Sequence, residues 1–93
     1  MIREAGDRLA VEGAMTLPQA SALLAAGAGA MAKDPAVFDL AAVSEVDSSA
    51  IAVVFAWMRE AERQGKRFQI VNPPRDMLSL AAVYGVSDLL PLA

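Results

Sequence analysis

The chain contains no cysteine and no histidine. Without cysteine there is no disulfide framework and no thiolate metal site, which suits a reducing compartment such as the cytoplasm. Without histidine the commonest general base and the commonest metal ligand are both gone. No glycine-rich G-x-x-x-x-G-K-[ST] loop is present to cradle a nucleotide phosphate. Glu45 and Asp47 form an acid pair at a strand end, but no nucleophile with a base accompanies them, so they read as turn and cap groups. Basic charge is scarce as well. Eight Lys and Arg against eleven Asp and Glu leave a net charge of -3, without the basic stripe that a nucleic-acid partner requires. No apolar run approaches the about 20 residues of a membrane-spanning helix. Ala20 to Ala32 has the small-residue look of a signal-peptide end, yet Glu4, Asp7 and Glu12 stand where a basic n-region belongs. These absences predict a cytoplasmic binding protein that takes no metal or cofactor, inserts in no membrane and is not an enzyme.

What remains is rich in apolar residues. Of 93 residues, 56% are hydrophobic and 20% charged, which excludes a disordered tail and predicts one domain spanning residues 1–93. A chain this short buries only about 60–65% of the surface it exposes when unfolded, so its core must be economical.

The order of elements follows from local patterns. Arg8-Leu-Ala-Val-Glu-Gly13 alternates apolar and polar residues as a half-buried strand does, and Gly6-Asp7 can turn a short first strand, Met1 to Arg3, back against it. Thr16 is an N-cap candidate, with Pro18 in the first turn of a helix running to about Ala32. Gly27 and Gly29 weaken that helix, and Asp34-Pro35 ends it. Ala36 to Ala41 reads as a central strand. A second helix runs from about Ser48 to Gln64, with Gly65 as its stop and Arg63, Lys66 and Arg67 at its negative end. Phe68 to Asn72 is a strand, Pro73-Pro74 breaks it, and Asp76 to Tyr84 makes a short helix closed by Gly85. The apolar tail, Val86 to Leu92, packs as a strand or turn. Strands alternating with helices predict an α/β domain with a mixed sheet of about four strands and helices mainly on one face.

The second helix poses the functional question. Ala50 to Met58 carries no charge, and a helix apolar nearly all round is buried on more than one side. At 100° per residue, Ile51, Val54, Met58 and Ala61 share the expected sheet-facing stripe, with Phe55 and Trp57 on its flanks. The opposite face holds Ser49, Ala52, Ala56, Arg59 and Arg63, where small residues can admit a close neighbour or simply serve as good helix formers on a solvated surface. Trp57, at the border, reads as a candidate interface anchor. At the helix start, Asp47 or Ser48 can cap the free N–H groups. Ser48 can also be read as a phosphate acceptor, whose added charge the helix N-terminus favours and Asp47 opposes.

D-S-S-A after a strand opens a helix that ends in Q-G-K. A strand then follows, and after it P-P-R-D-M-L-S-L-A-A-V-Y-G-V. In these features the chain resembles the STAS domain family over nearly its whole length, from Gly6-Asp7-Arg8-Leu9 to Leu90-Pro91. In the anti-sigma-factor antagonists of that family the pattern is D-S-S-G, and the phosphorylated serine falls on Ser48. The A-E-R-Q-G-K stretch and S-L-A-A-V-Y-G-V-S-D-L-L-P are more similar to the small STAS subunits of phospholipid-transport ABC complexes. That resemblance implies a non-catalytic subunit that binds the ATPase of a complex containing a permease and a substrate-binding subunit, and so lies peripheral to the inner membrane. Asp47, Ser48, Ser49, Ala52, Ala56 and Arg59 are then the partner-binding residues. The antagonist resemblance implies instead an anti-sigma-factor serine kinase as partner. Ala50, where antagonists carry glycine, departs from the pattern such a kinase meets.

Overall fold

A computed structural model describes residues 1–93. In chain order the elements are β1 (Ile2–Ala5), β2 (Arg8–Met15), α1 (Leu17–Ala30), β3 (Ala36–Val46), α2 (Ser48–Arg63), β4 (Phe68–Val71), α3 (Arg75–Val83) and a 3₁₀ turn (Ser87–Leu89). The four strands form one sheet in the order β1-β2-β3-β4. β1 and β2 make an antiparallel hairpin, whereas β2–β3 and β3–β4 are parallel. Parallel neighbours need long crossovers, and α1 and α2 supply them. The tail adds to the outer edge of β4: Ile70 donates its N–H to Pro91 and accepts from Ala93, beside a bridge to Leu92.

Side-chain alternation puts the core on one side of this sheet. Leu9, Val11 and Met15 of β2, Ala36, Phe38 and Leu40 of β3, and Ile70 of β4 point to the helices and are buried. The residues between them face the other way. There Arg3 pairs with Glu12 at 2.9 Å, and Asp39 takes Arg8 at 3.3 Å and the Asn72 amide at 3.1 Å. That face is closed off by its own charges and needs no cover.

β3 extends well past the expected end at Ala41. Two register shifts each add one residue to β3, between Asp39 and Ala42 and between Val43 and Glu45, and across them Ala42, Val43, Glu45 and Val46 pair with Glu12, Gly13, Ala14 and Met15, so Met15 lies beside Val46. The two extra residues break the period-two alternation of this extension, which hid it from sequence periodicity. The consequence is geometric: β2 and β3 end together, and the helices that follow them start side by side.

α2 is buried by the sheet, by α1 and along one flank by α3, and its buried stripe is accordingly wider and rotated from the one periodicity suggested. It comprises Ala50, Ile51, Val53, Val54, Trp57 and Ala61, while Met58 is only half-buried. Trp57 is not an interface anchor. Its side chain is 1% exposed, stacks on Phe38 with ring centroids 4.4 Å apart, and donates its indole N–H to the Leu23 carbonyl of α1 at 3.0 Å. Gly27 makes this possible. A Cβ at that position would lie no farther than 2.8 Å from the indole atoms Nε1, Cε2 and Cδ1. The glycine that weakens α1 as an isolated helix is thus what lets α1 close on α2.

Gly27 and Gly29 should therefore respond oppositely to alanine. Both changes improve helix propensity by roughly 0.8–1.0 kcal/mol. Gly29 has open space around its Cα, so Gly29→Ala raises the melting temperature, whereas Gly27→Ala drives a methyl into the indole at an overpacking cost of about 1–3 kcal/mol and lowers it. Thermal unfolding of the two variants checks the opposite signs.

Asp39 is one of the carboxylates through which acid should destabilise the domain. The Ala41 N–H at 2.9 Å, the Asn72 amide and the Arg8 guanidinium stabilise its anion, and its pKa is lowered despite opposing desolvation. A depressed carboxylate contributes stability above its unfolded pKa of about 3.9, and that contribution is lost as pH falls through the lower folded value. Denaturation midpoints measured between neutral pH and pH of about 2 should fall below about pH 4, and less steeply in Asp39→Asn.

Candidate partner-binding site

The start of α2 is fixed by Asp47. Its backbone is extended, with φ -135° and ψ -168°, and its carboxylate accepts the Ser49 N–H at 2.8 Å with one oxygen. The other oxygen accepts the Leu17 N–H at 3.1 Å. One side chain thereby satisfies an orphan donor on each of two helices. Desolvation pushes the Asp47 carboxyl up, but the amide hydrogens of Leu17 and Ser49 together outweigh it and hold its pKa below the ordinary value. Asp47 is the cap, which the sequence left open between Asp47 and Ser48. At the start of α1 the Thr16 N–H and hydroxyl both donate to the Gln19 side-chain oxygen.

Ser48 is left free of structural duty. Its side chain is exposed and takes part in none of the chain's side-chain hydrogen bonds. A phosphate placed there would sit beside an ionised Asp47 that already holds the Ser49 N–H, so the helix start offers it less than an uncapped terminus would.

Ser48, Ile51, Ala52 and Phe55 line one wall of an open groove, and Tyr84 and Val86 line the other. The second wall is built by the end of α3. Gly85 takes φ +70°, its N–H donates to Ala82, and the Val86 N–H reaches back to Ala81 at 2.8 Å. This left-handed helix stop folds the apolar residue after the glycine back onto the helix. Val86 consequently turns toward α2, while Val83 and Tyr84 stay 79% and 57% exposed. Tyr84 thus leaves apolar surface exposed on the groove's second wall.

The structure separates the residues singled out on the outer face of α2. Ser48, Ala52 and Arg59 are exposed and, with half-buried Phe55, form a single stripe at spacings of four, seven and eleven residues. Ser49 and Ala56 are half-buried, on the flank beside Val53 and Trp57 that α1 covers. Asp47 is engaged at the joint between the helices. Phe55, Tyr84 and Val86 were not among the sequence candidates. The Tyr-Gly-Val order did announce a helix stop with an apolar residue after it, but only the tertiary packing of α3 on α2 places that residue opposite Ser48. No three carboxylates converge on one point as a metal cage would require, and no helix is long and apolar enough to cross a membrane.

Comparisons with known proteins agree with this architecture. The fold is similar to a putative anti-sigma factor antagonist from Thermotoga maritima, with a TM-score of 0.73 at 12% identity over 99% of this chain and 83% of that one. It is also similar to the anti-sigma factor antagonist SpoIIAA in its unphosphorylated form, with a TM-score of 0.64 at 20% identity over 86% and 78% of the two chains. At these identities the likeness is one of fold. In sequence, the chain is 31% identical over 51 residues to the intermembrane phospholipid transport system binding protein MlaB of Haemophilus influenzae. The match takes in 55% of this chain and spans about half, 49%, of that relative. The family model described as "Mlab, STAS domain" matches residues 2–91, and with nearly every residue inside that match the chain belongs to the STAS domain family.

Proposed function

We propose that this chain is a non-catalytic STAS subunit that binds and supports the ATPase of an Mla-type ABC transporter moving phospholipids between bacterial membranes. The observation that carries the reading is the groove beside Ser48, an exposed and mostly apolar surface in a chain whose match is to an Mlab-type family. The sequence likeness to a phospholipid transport binding protein supports the choice of complex. In this reading residues 1–93 act as one docking domain in the cytoplasm, peripheral to the inner membrane through the complex. The domain itself performs no chemistry. Trp57 and Asp47 hold α2 rigidly enough that its outer stripe meets the ATPase without an ordering cost.

A second reading keeps one specific observation in its favour. Ser48 is exposed immediately after the aspartate at a helix start, which is what a serine kinase of the anti-sigma type would need. The occupied cap and the methyl of Ala50 weigh against it.

Docking on the outer stripe gives Ala52→Glu a defined outcome. Ala52 is exposed and lies outside the buried stripe, so the variant melts within the range of about 0.5 kcal/mol usual for surface changes yet fails to co-purify with the transporter's ATPase subunit. A variant that unfolds would place the core on the wrong side of α2; one that co-purifies normally would remove the groove from the interface.

Ser48 separates stability from binding. Because Asp47 is the cap, Ser48→Ala should change folding stability by no more than about 0.5 kcal/mol, and Ser48→Asp should fold as well as the parent while losing the ATPase through repulsion and desolvation at the groove rim. Thermal unfolding and ATPase co-purification of the three proteins check this. Stoichiometric labelling of Ser48 by a serine kinase from the same genome would favour the second reading.

A further inference from the structure

A free sheet edge is a template on which a second copy of the same chain can pair. The β4 edge is taken up within the chain, since Ile70 donates its N–H to Pro91 and accepts from Ala93. No element pairs with the outer edge of β1. We infer that Arg3 and Glu4 close this edge to a second copy, because every antiparallel register that engages more than one residue of β1 sets one of them against itself. The sheet therefore ends at β1. The inference is independent of the function proposed above.

The backbone of β1 fixes which of its groups are free. The Met1 nitrogen donates to the Glu12 carbonyl at 2.9 Å, and the Glu12 N–H donates back to the Met1 carbonyl at 2.7 Å. Bonded and non-bonded pairs alternate along an antiparallel ladder. In the register that sets Ile2 against Val11, Arg3 against Ala10, Glu4 against Leu9 and Ala5 against Arg8, Arg3 and Ala5 therefore turn their N–H and C=O groups to β2. Ile2 and Glu4 turn theirs outward.

Two copies joined antiparallel across this edge are related by a two-fold axis normal to the sheet, which keeps every side chain on its own face. Facing residues must then share both face and hydrogen-bonding direction, so Arg3 cannot meet Glu4 of the second copy, and the axis passes through a residue that faces itself. With the axis at Glu4, two carboxylates meet on the side of the sheet where Leu9 is buried. With the axis at Arg3, two guanidinium groups meet in a non-bonded pair, whose side chains lie closer. Like charges directly opposite one another destabilise a ladder. Glu12 holds Arg3 at 2.9 Å and softens the second clash, but that register also sets Glu4 against Ile2. Glu4, which joins none of the chain's ion pairs, thus acts in both. An axis at Ile2 or Ala5 pairs only one strand residue of each copy, because those two are the ends of β1.

The test is self-association of the full chain, followed by sedimentation velocity over a concentration series, with melting temperatures to confirm that each variant is folded. Any association of the parent should be indifferent to Glu4→Pro, since its edge is already closed. Arg3→Thr/Glu4→Thr keeps the net charge and puts strand-forming side chains on the edge, so it should self-associate at least about tenfold more tightly than the parent. Arg3→Thr/Glu4→Pro removes the same charges together with the outward N–H of residue 4, which both registers need and the β1–β2 ladder does not use. It should associate no more than the parent. A threonine variant that associates no better than the parent overturns the inference. So does a proline variant that associates as the threonine variant does, or a parent whose association Glu4→Pro abolishes.

Discussion

The close approach of the Trp57 indole to Gly27 is the contact on which the arrangement of this domain depends. The ring fills the space between β3 and α1, stacked on Phe38 below and hydrogen-bonded to the Leu23 carbonyl at its side. A domain of this size has few large side chains with which to fill a core, and Trp57 and Phe38 are the largest of those fully buried. A single ring that touches the sheet, α1 and α2 at once links the layers better than several small ones would. Its N–H would be a liability in a core that buries no other polar side chain, and the α1 carbonyl removes that liability. Because α1 can approach only where Cβ is missing, the position of Gly27 sets how α1 lies on α2, and so which face of α2 is left outside.

Asp47 ties the other end of the same helix pair. β2 and β3 finish together because Met15 pairs with Val46, and the next residues begin α1 and α2. Without a shared acceptor the two N-termini would bring positive dipole ends together. A carboxylate between them, accepting one N–H from each, turns that repulsion into a joint. The cap is thus a tertiary contact, and it frees Ser48 from any role in folding. A hydroxyl at the rim of a binding groove can then be varied or modified without disturbing the fold, which a capping serine could not.

Sequence periodicity located the strands and helices because each is built on local signals: alternation in β2, Thr16 and Pro18 at the start of α1, glycine stops after α2 and α3. It placed Ala52, Arg59 and Arg63 on the exposed face of α2 because that helix has enough length to show a stripe, but it set Ser49 and Ala56 there too, which α1 half-buries. It failed where burial comes from a neighbour distant in sequence. Trp57 looked like a border residue because periodicity assumes one burying surface, whereas α1 covers α2 as well as the sheet does. Gly27 looked like a weakness in α1 because nothing near it in sequence reveals the ring it accommodates. The long β3 was missed since Ala41 to Val46 is held by pairing with β2 and not by apolar alternation. Tyr84 and Val86 could be placed at a helix stop, but not opposite Ser48.

The two uncovered surfaces of the domain differ in how far their own groups satisfy one another. The open face of the sheet carries charges that already satisfy one another, Arg3 with Glu12 and Arg8 with Asp39 and Asn72. A partner there would have to strip water from paired ions and replace both members of each pair, for little net gain. Around the outer stripe of α2 the balance is reversed. Tyr84 and Ala52 expose apolar surface that gains from being covered. A small domain with a single-sided core must leave both faces to solvent or to another protein. This one has neutralised the first, while the second keeps apolar surface whose burial would be favourable.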